Sequence, residues 1–137
     1  MSTYFTRAEA DALLPQIEPL LREIQALRLA AAELTAQVAA QREKVAGNGH
    51  LPQDDQRHMR DDLDGINERI AERMEEIQAR GILIKDLDTG LIDFPTLRDG
   101  REVYLCWKLG EDRVRWWHPI EMGFAGRQPL DDEYGAG

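Results

Sequence analysis

The stretch GILIKDLDTGLIDFP, residues 81–95, divides the chain into two kinds of sequence. Before Gly81, apolar residues recur every three or four positions. After it, they recur every second position. That change of period is the change from a helical stripe to a pleated strand. Residues 82–85 read as a first strand. Asp88-Thr89-Gly90 reads as a turn, with Gly90 taking positive φ. Residues 91–94 read as a second short strand, ended by Pro95. Residues 97–101 read as a loop. The run EVYLCWKL at 102–109 carries the clearest alternation, with Val103, Leu105, Trp107 and Leu109 on one face. Glu102, Tyr104, Cys106 and Lys108 stand on the other. Gly110-Glu111-Asp112 turns the chain. Residues 113–118 return, with Val114 and Trp116 on one face and Arg115 and Trp117 on the other, until Pro119 ends that strand. The expectation is a small antiparallel sheet of three or four strands.

Upstream, Thr6 and Glu9 have the spacing of a capping box, with Phe5 positioned to staple onto the first turn. Pro15 disfavours helix at Leu14, so the reading is a short N-terminal helix over 7–14 and then a bend. A second helix is expected over about 16–46, with Pro19 in its first turn. Its heptad places Ile17, Ile24, Ala31, Val38 and Val45 in one position and Leu20, Leu27 and Leu34 in the other. Gly47-Asn48-Gly49 supplies C-cap residues. A third helix begins near Asp54-Asp55, where acidic side chains favour the positive end of the helix dipole. Its stripe is Met59, Leu63, Ile66, Ile70, Met74 and Ile77, and Gly81 stops it. The short connection implies an antiparallel, coiled-coil-like helical hairpin, each arm roughly 40 Å long. Arg73 and the two methionines make the seam adaptable. The fold class is therefore α+β in a single domain over 1–137: helical over 1–80, β-rich over 81–130, and a loose acidic tail over 131–137.

Composition narrows the function classes. The chain has 137 residues and a net charge of −9. Residues 1–80 carry 10 Lys+Arg against 15 Asp+Glu, and the remainder 7 against 11, so neither part is a basic arm. An acidic surface repels phosphate backbones, which argues against nucleic acid. The single cysteine, Cys106, rules out an internal disulfide and fits a reducing, cytoplasmic setting. No apolar run approaches the roughly 20 residues of a membrane span, and no secretory leader is read at the N-terminus.

A family resemblance rests on Lys85-Asp86, Gly90-Leu91-Ile92-Asp93-Phe94-Pro95, Gly100, Leu105-Cys106-Trp107, Leu109-Gly110-Glu111, Trp117-His118 and Gly123-Phe124-Ala125-Gly126-Arg127. With Phe5-Thr6, Glu9-Ala10 and Leu13-Leu14-Pro15, these residues resemble a bacterial family, domain of unknown function 2203. The resemblance covers nearly the whole chain and implies a helical hairpin with a β-rich end. It implies no activity, and it carries over no catalytic residue.

Several groups hold chemistry in principle. Asp86-x-Asp88-x-Gly90 begins like a calcium loop but has Gly90, Leu91 and Leu97 where that template needs a ligand, a glycine and a bidentate Glu. A turn explains it better, and no metal or cofactor is assigned. Asp86, Asp93, Glu102 and His118 would make a divalent-metal or acid–base site if the strands bring them together. Ion pairs with Lys85, Arg98, Arg115 or Lys108 are the plainer outcome. Cys106 reads as a small buried hydrophobe. Catalysis there would need His118 as base and a positive surrounding to lower the thiol pKa. Trp107 and Trp116 read as core, and Trp117 as a contact residue on the opposite face. The Gly123–Arg127 loop offers amides to an anion, or a tight turn with Arg127 paired to the sheet. His50 and His58 read as solvent-facing. The residues expected to bind a ligand or partner are Asp86, Asp93, Glu102, Lys108, Trp117, His118 and Arg127.

The expected function is a non-enzymatic interaction or scaffolding module, with a protein partner or a second copy of the chain meeting the helices or the sheet. The alternative is a small-ligand or divalent-metal protein with hydrolase-like acid–base chemistry on the sheet.

Overall fold

The computed structural model describes residues 3–45 and 53–130. The expected cap at Gly47-Asn48-Gly49, His50 and the tail from Asp131 lie outside them. Helix α1 spans Arg7–Val45 and helix α2 spans Gln53–Gln78. Five strands follow: β1 (Leu83–Asp86), β2 (Leu91–Arg98), β3 (Arg101–Lys108), β4 (Trp116–Pro119) and β5 (Gln128–Pro129). They pair in chain order as an antiparallel meander. The architecture is α+β, with one strand more than the largest number expected. Two-residue β5 is too short to show alternation in sequence.

The capping box forms. Thr6 N–H donates to Glu9 Oε1 at 2.9 Å, and Glu9 N–H to Thr6 Oγ1 at 3.1 Å. Phe5 enters the core edge-on to Phe94, and its N–H donates to Pro95 O at 2.8 Å. The expected break at Pro15 does not occur: α1 runs unbroken through Pro15 and Pro19. Ala10, Leu14, Ile17, Leu21 and Ile24 form one buried stripe across both prolines, whose rings are exposed. Burying four Leu and Ile side chains is worth roughly 1.5–3 kcal/mol each, against about 3 kcal/mol for each interior proline. The stripe wins. Leu14 and Leu21 belong to it although the heptad reading omits them, because α1 packs on the sheet as well as on α2.

The two helices lie side by side in opposite senses. Arg80 Nη2 donates to Gln16 Oε1 at 3.1 Å, and Arg73 pairs with Glu23 at 2.9 Å. Farther along, Leu34 and Val38 face Met59 and Leu63 across an apolar groove edged by Arg42 and Arg60. Burial divides along this length. Ile77 is the one buried residue of α2, and between Gln25 and Glu43 of α1 no described side chain is buried.

The core lies where the near ends of the helices meet one face of the sheet. Ile92, Phe94 and Thr96 of β2 and Val103, Leu105 and Trp107 of β3 are buried there. Pro95 sits inside a strand that it was expected to end, whereas Pro119 ends its strand as expected. Pro95 pairs with Tyr104 within β2. Its carbonyl takes the Phe5 amide, so its missing N–H also points away from β3 and the β2–β3 ladder loses nothing. Pro119 closes β4 opposite Val103. The expected loop at 97–101 is a tight hairpin turn at Asp99-Gly100, with φ of 52° and 77°. Gly90 takes φ 70°, as expected.

The tryptophan assignment is reversed. Trp117 pairs with Leu105 and packs against the core, while Trp116 pairs with Cys106 on the outer face. Regular strand begins at Trp116 and not at Arg113. Val114 is pinned by its N–H to Asp11 Oδ1 at 2.7 Å, so alternation counted from Arg113 is wrong by one residue.

Candidate functional site

The outer face of the sheet, opposite the helices, should be solvated. Instead it holds three buried polar groups. Asp93 on β2 is directly opposite Cys106 on β3, and His118 on β4 is opposite Tyr104, two residues along β3. Alternation therefore sends all three to one face. Asp93 is 1% exposed, His118 3% and Cys106 0%.

Two hydrogen bonds fix the imidazole. Nδ1 lies 2.8 Å from Pro119 O, and Nε2 lies 3.0 Å from Asp93 Oδ2. Tyr104 stands edge-on to the ring at 5.6 Å, and Lys85 Nζ lies 5.1 Å from the Tyr104 ring centroid. Burial raises the Asp93 pKa, and the His118 and Cys106 contacts and the Lys85 charge offset only part of that rise. Burial and the neighbouring Asp93 charge push the Cys106 thiol up to about 12. A thiol so protonated is a poor nucleophile, which removes the physical basis for a catalytic Cys106.

Arg127 covers the same face. It forms a two-pronged pair with Glu111, at 2.7 and 2.9 Å, and donates to Cys106 O at 3.3 Å. Its guanidinium stacks on Phe124 at 4.6 Å and on Trp116 at 5.2 Å. Burial alone would raise the Glu111 pKa, but Arg127 and the Lys108 N–H bring it below the usual carboxylate range. Arg127 is thus tied to the sheet, the plainer of the two readings for that loop.

Of the seven expected site residues, Asp93, His118 and Arg127 come together. Asp86 does not join them. It accepts from Thr89 Oγ1 at 2.7 Å and Asp88 N–H at 3.3 Å, which organises the β1–β2 turn and lowers its pKa. Lys108 Nζ lies over Phe124 at 5.3 Å. Trp117 faces the core, with Arg98 4.3 Å from its ring centroid. Glu102 is half-buried near Tyr104, whose pKa is raised by burial and then by the charges of Glu102 and Asp93. The partner of Asp93 is His118 rather than any of the four cations expected for it; Arg115 pairs instead with Asp112. His58 is exposed.

Sequence reasoning weighed Cys106 with His118 only as a catalytic pair, and it placed neither Cys106 nor Glu111 nor Trp116 among the binding residues. Strand alternation already put Cys106 beside Tyr104, but only the β2–β3 register puts Asp93 opposite it. Among the described residues, Asp93, Cys106 and His118 offer three metal-capable donor atoms, all within 4.8 Å of one another.

Residues 3–130 match the family described as an uncharacterised conserved protein (DUF2203), and the chain belongs to that family. The resemblance read from the C-terminal motif is borne out. No curated protein and no solved structure matches the chain.

Proposed function

We propose that this family member is a non-enzymatic interaction module that pairs with a second copy of itself through its helices, a coiled-coil-like hairpin projecting from the sheet. The supporting observation is the groove of Leu34, Val38, Met59 and Leu63, whose side chains are only half-buried by the partner helix. Leu29 on α1 is 61% exposed. Two helices in contact cover one stripe each; a third or fourth helix covers the rest. Charge favours a second copy. Arg42 and Arg60 edge the groove, and Asp61, Asp62 and Asp64 lie beside it on α2, so two arms laid together can set arginines against carboxylates. The single cysteine fits a cytoplasmic setting. The acidic balance disfavours nucleic acid, and no helix among the described residues is long and apolar enough to cross a membrane.

Sedimentation equilibrium over a wide concentration range tests this reading. The expected result is twice the chain mass, returning to one chain mass in Leu34→Glu. A single-chain mass at the highest concentration overturns it. Acid–base turnover on the sheet has less support, because both His118 nitrogens are engaged and the cluster is closed to solvent.

A further inference from the structure

We propose that Asp93, Cys106 and His118 form a closed site for one divalent transition-metal ion, Zn²⁺ being the ion that the donor set fits best. The site is independent of the interaction reading; either stands without the other.

The inference starts at His118. The Pro119 carbonyl only accepts, so Nδ1, 2.8 Å away, carries the ring proton. A neutral imidazole then turns its Nε2 lone pair toward Asp93 Oδ2, which also accepts, at 3.0 Å. Two acceptors facing each other in a buried place need a positive charge between or beside them. A proton or a metal ion can supply it.

A proton satisfies that one contact and nothing more. Asp93 Oδ1 stays buried with no hydrogen-bond partner among the described residues, a costly arrangement. The Cys106 thiol beside it offers Asp93 only a weak S–H donor in such a pair. A metal ion uses all three groups. Their donor atoms lie within 4.8 Å of one another, and adjustments on the order of an ångström bring them to the roughly 2.0–2.3 Å of zinc bonds. A sulfur, an imidazole nitrogen and a carboxylate oxygen are the mixed donors that Zn²⁺ accepts, and hard Mg²⁺ and Ca²⁺ do not favour sulfur. Three protein ligands leave the fourth tetrahedral position to water.

The surroundings suit this assignment. A metal-bound histidine usually donates its other N–H to a carbonyl or carboxylate, the role Pro119 O fills here. The ion, a thiolate and a carboxylate sum to zero charge, which a buried site tolerates. The nearby cation Arg127 is neutralised by Glu111, and Lys85 is held over Tyr104. Binding expels two protons to solvent, one from the Cys106 thiol and one shared by Asp93 and His118.

Titration of the chelator-stripped full chain with Co²⁺ at neutral pH tests the site. The expected result is a thiolate-to-cobalt charge-transfer band with tetrahedral visible bands, saturating at one ion per chain and erased by Zn²⁺. Cys106→Ser should abolish the band and weaken Zn²⁺ binding more than about 100-fold, beyond the loss from removing an outer-shell partner. Asp93→Asn keeps a donor on Nε2 and so keeps the fold, while it weakens metal binding. Absence of the band in the native chain overturns the proposal without recourse to any variant. Zn²⁺ binding undiminished in Cys106→Ser and Asp93→Asn overturns it equally, as adventitious binding to the acidic surface.

Discussion

The sheet end of the molecule and the far halves of its helices are built on opposite terms. At the sheet end, both faces are closed: Phe94, Leu105 and Trp107 are buried on one side, and Asp93, Cys106 and His118 on the other. Along the far halves of the helices, no described side chain is buried. The difference teaches where specificity comes from. A strand with neighbours on both edges and cover on both faces has every contact determined within the chain. A pair of helices determines only the seam between them and leaves the rest of its apolar surface to something else.

Substitutions can break this contrast. The largest effect is expected from Phe94→Ala, which should lower unfolding free energy by about 3–5 kcal/mol in urea titration. An equal loss from truncating a far-half leucine would end the distinction. Next, Glu111→Gln should cost about 1.5–3 kcal/mol at neutral pH, because it removes charged bonds to Arg127 that are mostly buried. The folded Glu111 pKa is depressed. Its contribution is thus present above the unfolded carboxylate pKa and is lost as pH falls through the folded value. The melting temperature of the native chain should fall through that acid window, and that of Glu111→Gln should fall less.

A matched pair sharpens the comparison. At Gly90, φ is 70° and an added Cβ would meet Leu109 Cβ at 2.6 Å. Gly90→Ala should destabilise by about 1–2 kcal/mol from the left-handed backbone alone, and more from the contact. At Gly65 in α2, an added Cβ meets nothing within 4 Å. Gly65→Ala should therefore stabilise by about 0.5–1 kcal/mol. The same chemical change should move thermal midpoints in opposite directions at the two ends of the molecule. A similarly small effect is expected from Leu34→Ala, about 1 kcal/mol for a half-buried side chain in dilute solution. That loss should grow with protein concentration if the helices pair.

What the sequence made legible follows the same divide between local and distant causes. The capping box at Thr6 and Glu9, positive φ at Gly90 and the inner face of β3 depend on neighbours within a few residues, and all were readable. Pro15 is misread because the deciding force, burial of Ala10 to Ile24, comes from α2 and from strands more than fifty residues away. The tryptophans were exchanged because one irregular step near Val114 is set by Asp11, at the other end of the chain. The polar cluster was half-legible. Asp93 and His118 stood out as unexplained, yet Cys106 joined them only through register, a long-range pairing that alternation does not reveal.

The bond from Val114 N–H to Asp11 spans 103 residues and has a consequence in time. The ribosome makes the α1 stripe first and the strands that cover it last. At roughly 5–20 residues per second, Leu14, Ile17 and Leu21 leave the exit tunnel and wait about 5–20 seconds for their cover. During that interval α2 alone can cover the stripe, and the nascent chain presents a partly bare apolar helix, the form in which chaperones would meet it.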